Sequence, residues 1–237
     1  MYKKITHDIV EEHFEHPMTL PKEMLDRSAL AGASDKSLPD YVMNENTMLV
    51  RMNSRSAWAK WVWSLLNYSI SLNGNLSGTE QVKGRMHKNA VALGDFLIPY
   101  YGLTASRAIT TAILAIDDVG MHYVDAIKKN ATKEEIDVIV ASWTPYIVAL
   151  ARAMNELNPN YWPETLLSDI FTNLVAGWVD ELAARARGDI IANEIAIDYL
   201  NKLVVTGVHA QSTAGFSSLA DIFSYGIIAQ FPAMFTY

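Results

Sequence analysis

The chain has 237 residues, half of them hydrophobic and 10% aromatic, with a net charge of -7 and no cysteine. That composition supports a sizeable buried core and excludes an extended disordered chain. The acidic balance, without a Lys/Arg run, argues against a nucleic-acid surface. The missing thiols exclude disulfides, cysteine nucleophiles and thiolate zinc sites, and are compatible with a reducing, cytoplasmic setting.

The N-terminal segment is charged and lacks the apolar core of a secretory signal. Residues 3–15 read as a short charged helix. Pro17, Pro21 and Pro39 then break the chain into an irregular arm. Residues 1–46 are therefore expected to be an arm and 47–237 a helical domain. The arm carries Met18, Leu20, Met24, Leu25, Leu30 and Met43. These need an apolar surface, either on the chain's own bundle or on a partner.

Helical spacing of Leu49, Met52, Trp58, Trp61, Leu65 and Leu66 predicts a first long helix over about Thr47 to Leu72. Asn73-Gly74-Asn75 is its stop signal. A second helix is expected from about Thr79 to Leu97, ended by Pro99 and Gly102, and a third from about Thr104 to Lys129. Thr132 and Glu135 have capping-box spacing and open a fourth, to about Asn155, with a kink at Pro145. Its apolar run Ile136–Ala151 is too short to span a bilayer. Pro163 is placed as a first helical residue for a fifth helix over about Glu164 to Arg187.

The stretch from Gly188 to Gln230 holds no proline and repeats apolar residues at three- and four-residue steps. As one helix it would run roughly 65 Å at about 1.5 Å per residue. Gly207, Gly215 and Gly226 within it predict close helix contacts, and Ser217-Ser218 is placed inside the helix. Strand alternation is nearly absent. The expected fold is all-α, an up-and-down bundle of about six long helices behind an irregular arm. Two turns rich in aromatics and proline, at Ile98–Gly102 and Asn158–Pro163, hint at an internal duplication.

Chemistry-bearing patterns are sparse. His7, His13 and His16 lie in the charged N-terminus, where Glu12 and His16 could chelate an ion, although a solvated helix accounts for them better. His87, His122 and His209 are isolated in sequence. No Glu-x-x-His pair of a di-iron bundle occurs. Asp117-Asp118, Asp180-Glu181 and Glu194 with Asp198 read as solvated faces. Neither a nucleophile elbow nor a phosphate loop is present. Trp58 and Trp61 share a face and read as core rather than as a ligand pocket.

Several pieces in order resemble a family of uncharacterised helical proteins found mainly in bacteria. They are Arg85 with Asn89 and Gly94-Asp95, Pro99-Tyr100-Tyr101-Gly102, Leu157-Asn158-Pro159-Asn160 with Trp162, Leu219-Ala220-Asp221-Ile222, and Gly226 through Pro232. The resemblance covers about Met48 to Phe235 and implies a helical bundle, with no established activity. It also implies three histidines at positions held here by Ser56, Ile116 and Asn173, so a histidine-based site is expected to be lost.

Two functional expectations follow. The first is a non-catalytic assembly protein whose arm reaches a protein partner or a second copy; a virion or another large complex fits it. The second is a ligand- or metal-binding bundle of ferritin-like shape, built on Asn89, Asp95, Asp118, His122 and Asp221. No cofactor, resident metal or catalytic residue is expected.

Overall fold

The computed structural model describes residues 44–207 and 218–235. The chain divides into two units, Met1–Val42 and Met43–Tyr237. The arm's proline-broken segment and the short helix expected over residues 3–15, with His7, His13 and His16, lie outside the described residues, as does His209.

The second unit is all-α, with no strand among the described residues. Helix α1 spans Glu45–Asn73, α2 Thr79–Asp95, α3 Ile98–Lys128, α4 Lys133–Ala141, α5 Thr144–Leu157, α6 Glu164–Arg187, α7 Ile190–Asn201 and α8 Leu219–Gln230. Contacts pair α1 with α2, α2 with α3, α3 with α5, α5 with α6, and α6 with α7. Short connections make these neighbours antiparallel, so α1, α3 and α6 run the same way. Trp61 meets Asp117 and Tyr68 meets Asp125, while Trp178 meets Val62.

Local sequence explains the helix limits. Asn44 caps α1 by accepting from the Thr47 N–H, and Thr47 Oγ1 accepts back from the Asn44 N–H. The predicted Thr132–Glu135 capping box opens α4. Gly102, at φ 79, breaks the first turn of α3 from the rest, in a conformation that disfavours side chains with a Cβ. The expected fourth helix is two: α4 and α5 join at Ser142 and Trp143, with Pro145 in the first turn of α5. Lys133–Leu157 is nevertheless long and apolar enough to cross a membrane by length and composition. Its midpoint is pinned to the core, because the fully buried Trp143 donates to the Ile116 carbonyl.

The single long helix expected over Gly188–Gln230 is not formed. Gly188 ends α6 in the left-handed region, and Asp189 caps α7. After Asn201 the coil widens into a π turn over Lys202–Thr206, closed by Gly207 at φ 85. The physical cause is the Val204-Val205-Thr206 run, β-branched and poor at helix, next to a glycine free to reverse the backbone. Ser218 is not in a helix interior. It caps α8 by accepting from the Asp221 N–H. Of the three glycines expected to make close contacts, Gly207 terminates a helix, Gly215 lies outside the described residues, and Gly226 does pack tightly.

The core is aromatic. Trp58, Trp61, Trp143, Trp162, Trp178, Phe171 and Phe223 are fully buried. Trp58, Trp61 and Trp178 form an edge-to-face series with centroids 5.6 and 5.3 Å apart. Helix α7 is fixed to α6 by polar groups. Buried Glu181 Oε1 accepts from Arg185 Nε at 2.9 Å and from Asn193 Nδ2 at 2.8 Å, and Asn193 also reaches the Glu181 carbonyl. This corrects the reading of Glu181 as part of a solvated face. Replacing Asn193 by Ala removes the tie between the two helices. It should cost about 1–3 kcal/mol in urea unfolding and speed amide exchange selectively in α7.

Candidate functional site

The five candidate residues do not converge. Asn89, on α2, is spent on α1, donating from Nδ2 to Ser64 Oγ at 2.7 Å and to the Lys60 carbonyl at 3.1 Å. Asp95 is exposed at the end of α2. Asp118 and His122 are exposed on α3, and Asp118 faces His87 at 3.9 Å. Asp221 alone of the five is buried. Among the described residues, no group of three or more His, Asp or Glu side chains is placed to hold a metal ion. The positions where the sequence resemblance implied histidines are also scattered in environment. Ser56 is exposed, Ile116 is in the core, and Asn173 bonds the Asp169 carbonyl one turn back.

The sequence pieces around Tyr101, Asn158, Trp162, Asp221 and Gly226 through Gln230 converge instead, around α8. Asp221 Oδ1 accepts from Arg55 Nη2 at 3.0 Å and from Arg51 Nη2 at 3.2 Å, and Oδ2 accepts from Arg55 Nη2 at 3.0 Å. The Asp221 side chain is only 4% exposed, while the Arg51 and Arg55 side chains are 24% and 40% exposed. Ser54 Oγ donates to the Ala220 carbonyl at 2.8 Å on the same face of α1. On the other side of α8, Gly226 lets the Trp162 ring approach. A Cβ at 226 would sit 2.2 Å from Trp162 Nε1. The Trp162 indole stacks on Phe223 at 5.0 Å and 5°, and donates to the Ile222 carbonyl at 3.2 Å.

The two aromatic turns meet at the same place. Asn158 Nδ2 donates to the Gly226 carbonyl at 2.8 Å and to Tyr101 Oη at 3.2 Å. Tyr101 Oη donates to Gln230 Oε1 at 2.6 Å, and Gln230 Nε2 returns to the Leu157 carbonyl at 3.0 Å. Burial pushes the Tyr101 hydroxyl up, opposed by the Asn158 bond, so it stays a neutral donor. Tyr100 lies against Phe231 and Phe235, and Asn44 Nδ2 donates to the Phe235 carbonyl. The side chains of Asp221, Asn158, Tyr101 and Gln230 in this network all bond a carbonyl or another side chain of the bundle. Its chemistry is that of a clasp, holding α8 against α1, α3 and the α5–α6 turn.

One buried group was misjudged from sequence. Asp117 reads as half of a solvated Asp-Asp pair but is 2% exposed. Its Oδ1 accepts from Trp61 Nε1 at 2.8 Å, and its Oδ2 has no partner. Burial raises its pKa well above the ordinary carboxylate value, against the pull of the Trp61 bond and with help from neighbouring Asp118. The signal was available in the phase of α3. Ile109, Ile113, Ile116 and Gly120 are buried, and Asp117 falls beside them while Asp118 turns outward.

No family model matches the chain, and no curated protein or solved structure matches it either.

Asp221→Ala leaves two guanidiniums facing an emptied site and should cost about 2–3 kcal/mol in denaturant unfolding. Gly226→Ala drives a methyl into the Trp162 indole and should cost about 1–3 kcal/mol, with a changed tryptophan emission as α8 shifts. Native Asp117 binds its proton more tightly than the unfolded chain does. Stability contributed by this group is therefore full below the ordinary carboxylate range and declines as pH rises through the raised pKa. Asp117→Asn, which keeps an acceptor for Trp61, should flatten that decline in unfolding curves recorded across pH.

Proposed function

We propose that this protein is a non-catalytic helical assembly component whose N-terminal arm and the adjoining start of α1 engage a protein partner or a second copy. The observation that carries the reading is a stripe on the first turns of α1. Met48, Leu49 and Met52 are exposed at spacings that place them on one helix face. That face starts four residues after Asn44, whose bond to the Phe235 carbonyl anchors the exit of the arm. Met234, beside Phe235, is exposed as well. Scattered apolar residues on a surface need no explanation, but a helical stripe of them next to an anchored chain exit suits a helix-to-helix contact.

The polar side chains of the α8 clasp are engaged within the bundle, which supports a structural role for them. The arm brings apolar residues of its own, Met18, Leu20, Met24, Leu25 and Leu30, to such a contact.

The native mass, measured by sedimentation, tests this. The full chain is expected to form a larger species that falls apart when residues 1–43 are removed. Met48→Ser with Leu49→Ser and Met52→Ser should give the same loss while changing unfolding by no more than about 0.5 kcal/mol per site, since all three are exposed. A truncated protein with unchanged oligomeric state and unchanged stability sinks the proposal.

A further inference from the structure

We propose that the outer face of α7 is a second docking surface, taking a cationic amphipathic helix of a protein partner. It is separate from the arm-side stripe and independent of the assembly reading. The face carries Ile190, Ile191 and Ile195, exposed at 72, 74 and 58%. These are among the most exposed large apolar side chains of the described residues, and they sit on a single helix of 12 residues. Isoleucine is among the residues most often buried, so three of them exposed within six residues, Ile191 and Ile195 on one stripe with Ile190 at its edge, mark a surface that waits for cover.

The face is pre-shaped. Gly188 turns the chain at φ 74, Asp189 caps the first turn by accepting from the Ala192 N–H, and Asn193 locks the helix to buried Glu181. On its inner side Leu200 and Tyr199 press on Gly177, where a Cβ would come within 2.7 Å of the leucine. A helix held this way presents its isoleucines without further ordering, which lowers the cost of binding.

Charge selects the occupant. The isoleucines are flanked by exposed Asp189, Glu194 and Asp198, with Lys202 a turn farther on. An anionic lipid surface or a nucleic acid would meet like charge there. A second copy would bring an acidic rim of its own, Asp189, Glu194 and Asp198, against this one. A helix with lysines or arginines flanking a leucine stripe satisfies both the apolar centre and the acidic rim.

The test uses the full chain and a labelled 18-residue peptide of leucine and lysine at helical spacing, followed by fluorescence anisotropy. Binding is expected, weakening as salt is raised. Ile191→Ser with Ile195→Ser should weaken it at least about tenfold with unchanged circular dichroism and melting. Glu194→Gln with Asp198→Asn should reduce its salt dependence. Four outcomes overturn the proposal: equal binding by the isoleucine variant, equal binding of a leucine–glutamate peptide, binding of phosphatidylglycerol vesicles in place of the peptide, or a dimer of the free protein that the isoleucine variant dissolves.

Discussion

A buried indole must place its N–H, and that requirement organises this bundle. An unpaired donor in the core costs roughly 1–3 kcal/mol, so each tryptophan needs an acceptor within reach of its ring. Four of the fully buried indoles find one on a different element. Trp61 on α1 reaches Asp117 on α3, and Trp143 reaches the Ile116 carbonyl one residue earlier on α3. Trp178 on α6 reaches the Val62 carbonyl on α1, and Trp162 reaches Ile222 on α8. Helix packing by apolar area alone tolerates sliding. A directional bond from a rigid ring does not, so these four contacts set the register between neighbours. Trp58 is the exception, its Nε1 without an acceptor among the described residues. It lies edge-on to Phe223 at 5.3 Å and 86°.

Asp117 follows from the same requirement. A carboxyl group deep in an apolar layer is expensive, and it stays affordable there by holding its proton and serving as the Trp61 acceptor. Asp221 meets burial differently. It stays close to two arginines whose side chains remain partly exposed, so the pair avoids the full desolvation of a closed ion pair. The two aspartates mark two ways of placing a polar tie between helices, one neutral and one ionic.

Much of the architecture was legible in the chain. Stop and start signals at Asn73-Gly74, Thr132 with Glu135, and Pro163 placed helix limits closely, because capping and proline act within a turn of themselves. The break after Asn201 was not legible from periodicity, since apolar spacing continues through Val204 and Val205 while backbone preference fails there. Asp221 stood out in the sequence as a candidate polar site, and the structure makes it a buried tie. Its arginine partners lie more than 160 positions away and no local signal links them. Asp117 was missed because a pair of adjacent acids reads as surface unless the helix phase is followed residue by residue. The order of Tyr101, Asn158 and Gln230 along the chain gave no hint that one hydroxyl would join all three.

The bond from Asn44 to the carbonyl of Phe235 spans 191 positions, and it sits in the clasp with Arg51, Ser54, Arg55 and their α8 partners. Loop closure over such a distance is slow compared with the pairing of adjacent helices. During synthesis α1, α2, α3, α5 and α6 can pair in order as they leave the ribosome. The groove that receives α8 must stay open until residue 235 has been made. Throughout that interval Trp162, Trp58 and the Asp221 site on α1 are uncovered. A nascent chain of this protein therefore holds an aromatic surface open from the synthesis of Trp162 until α8 reaches it.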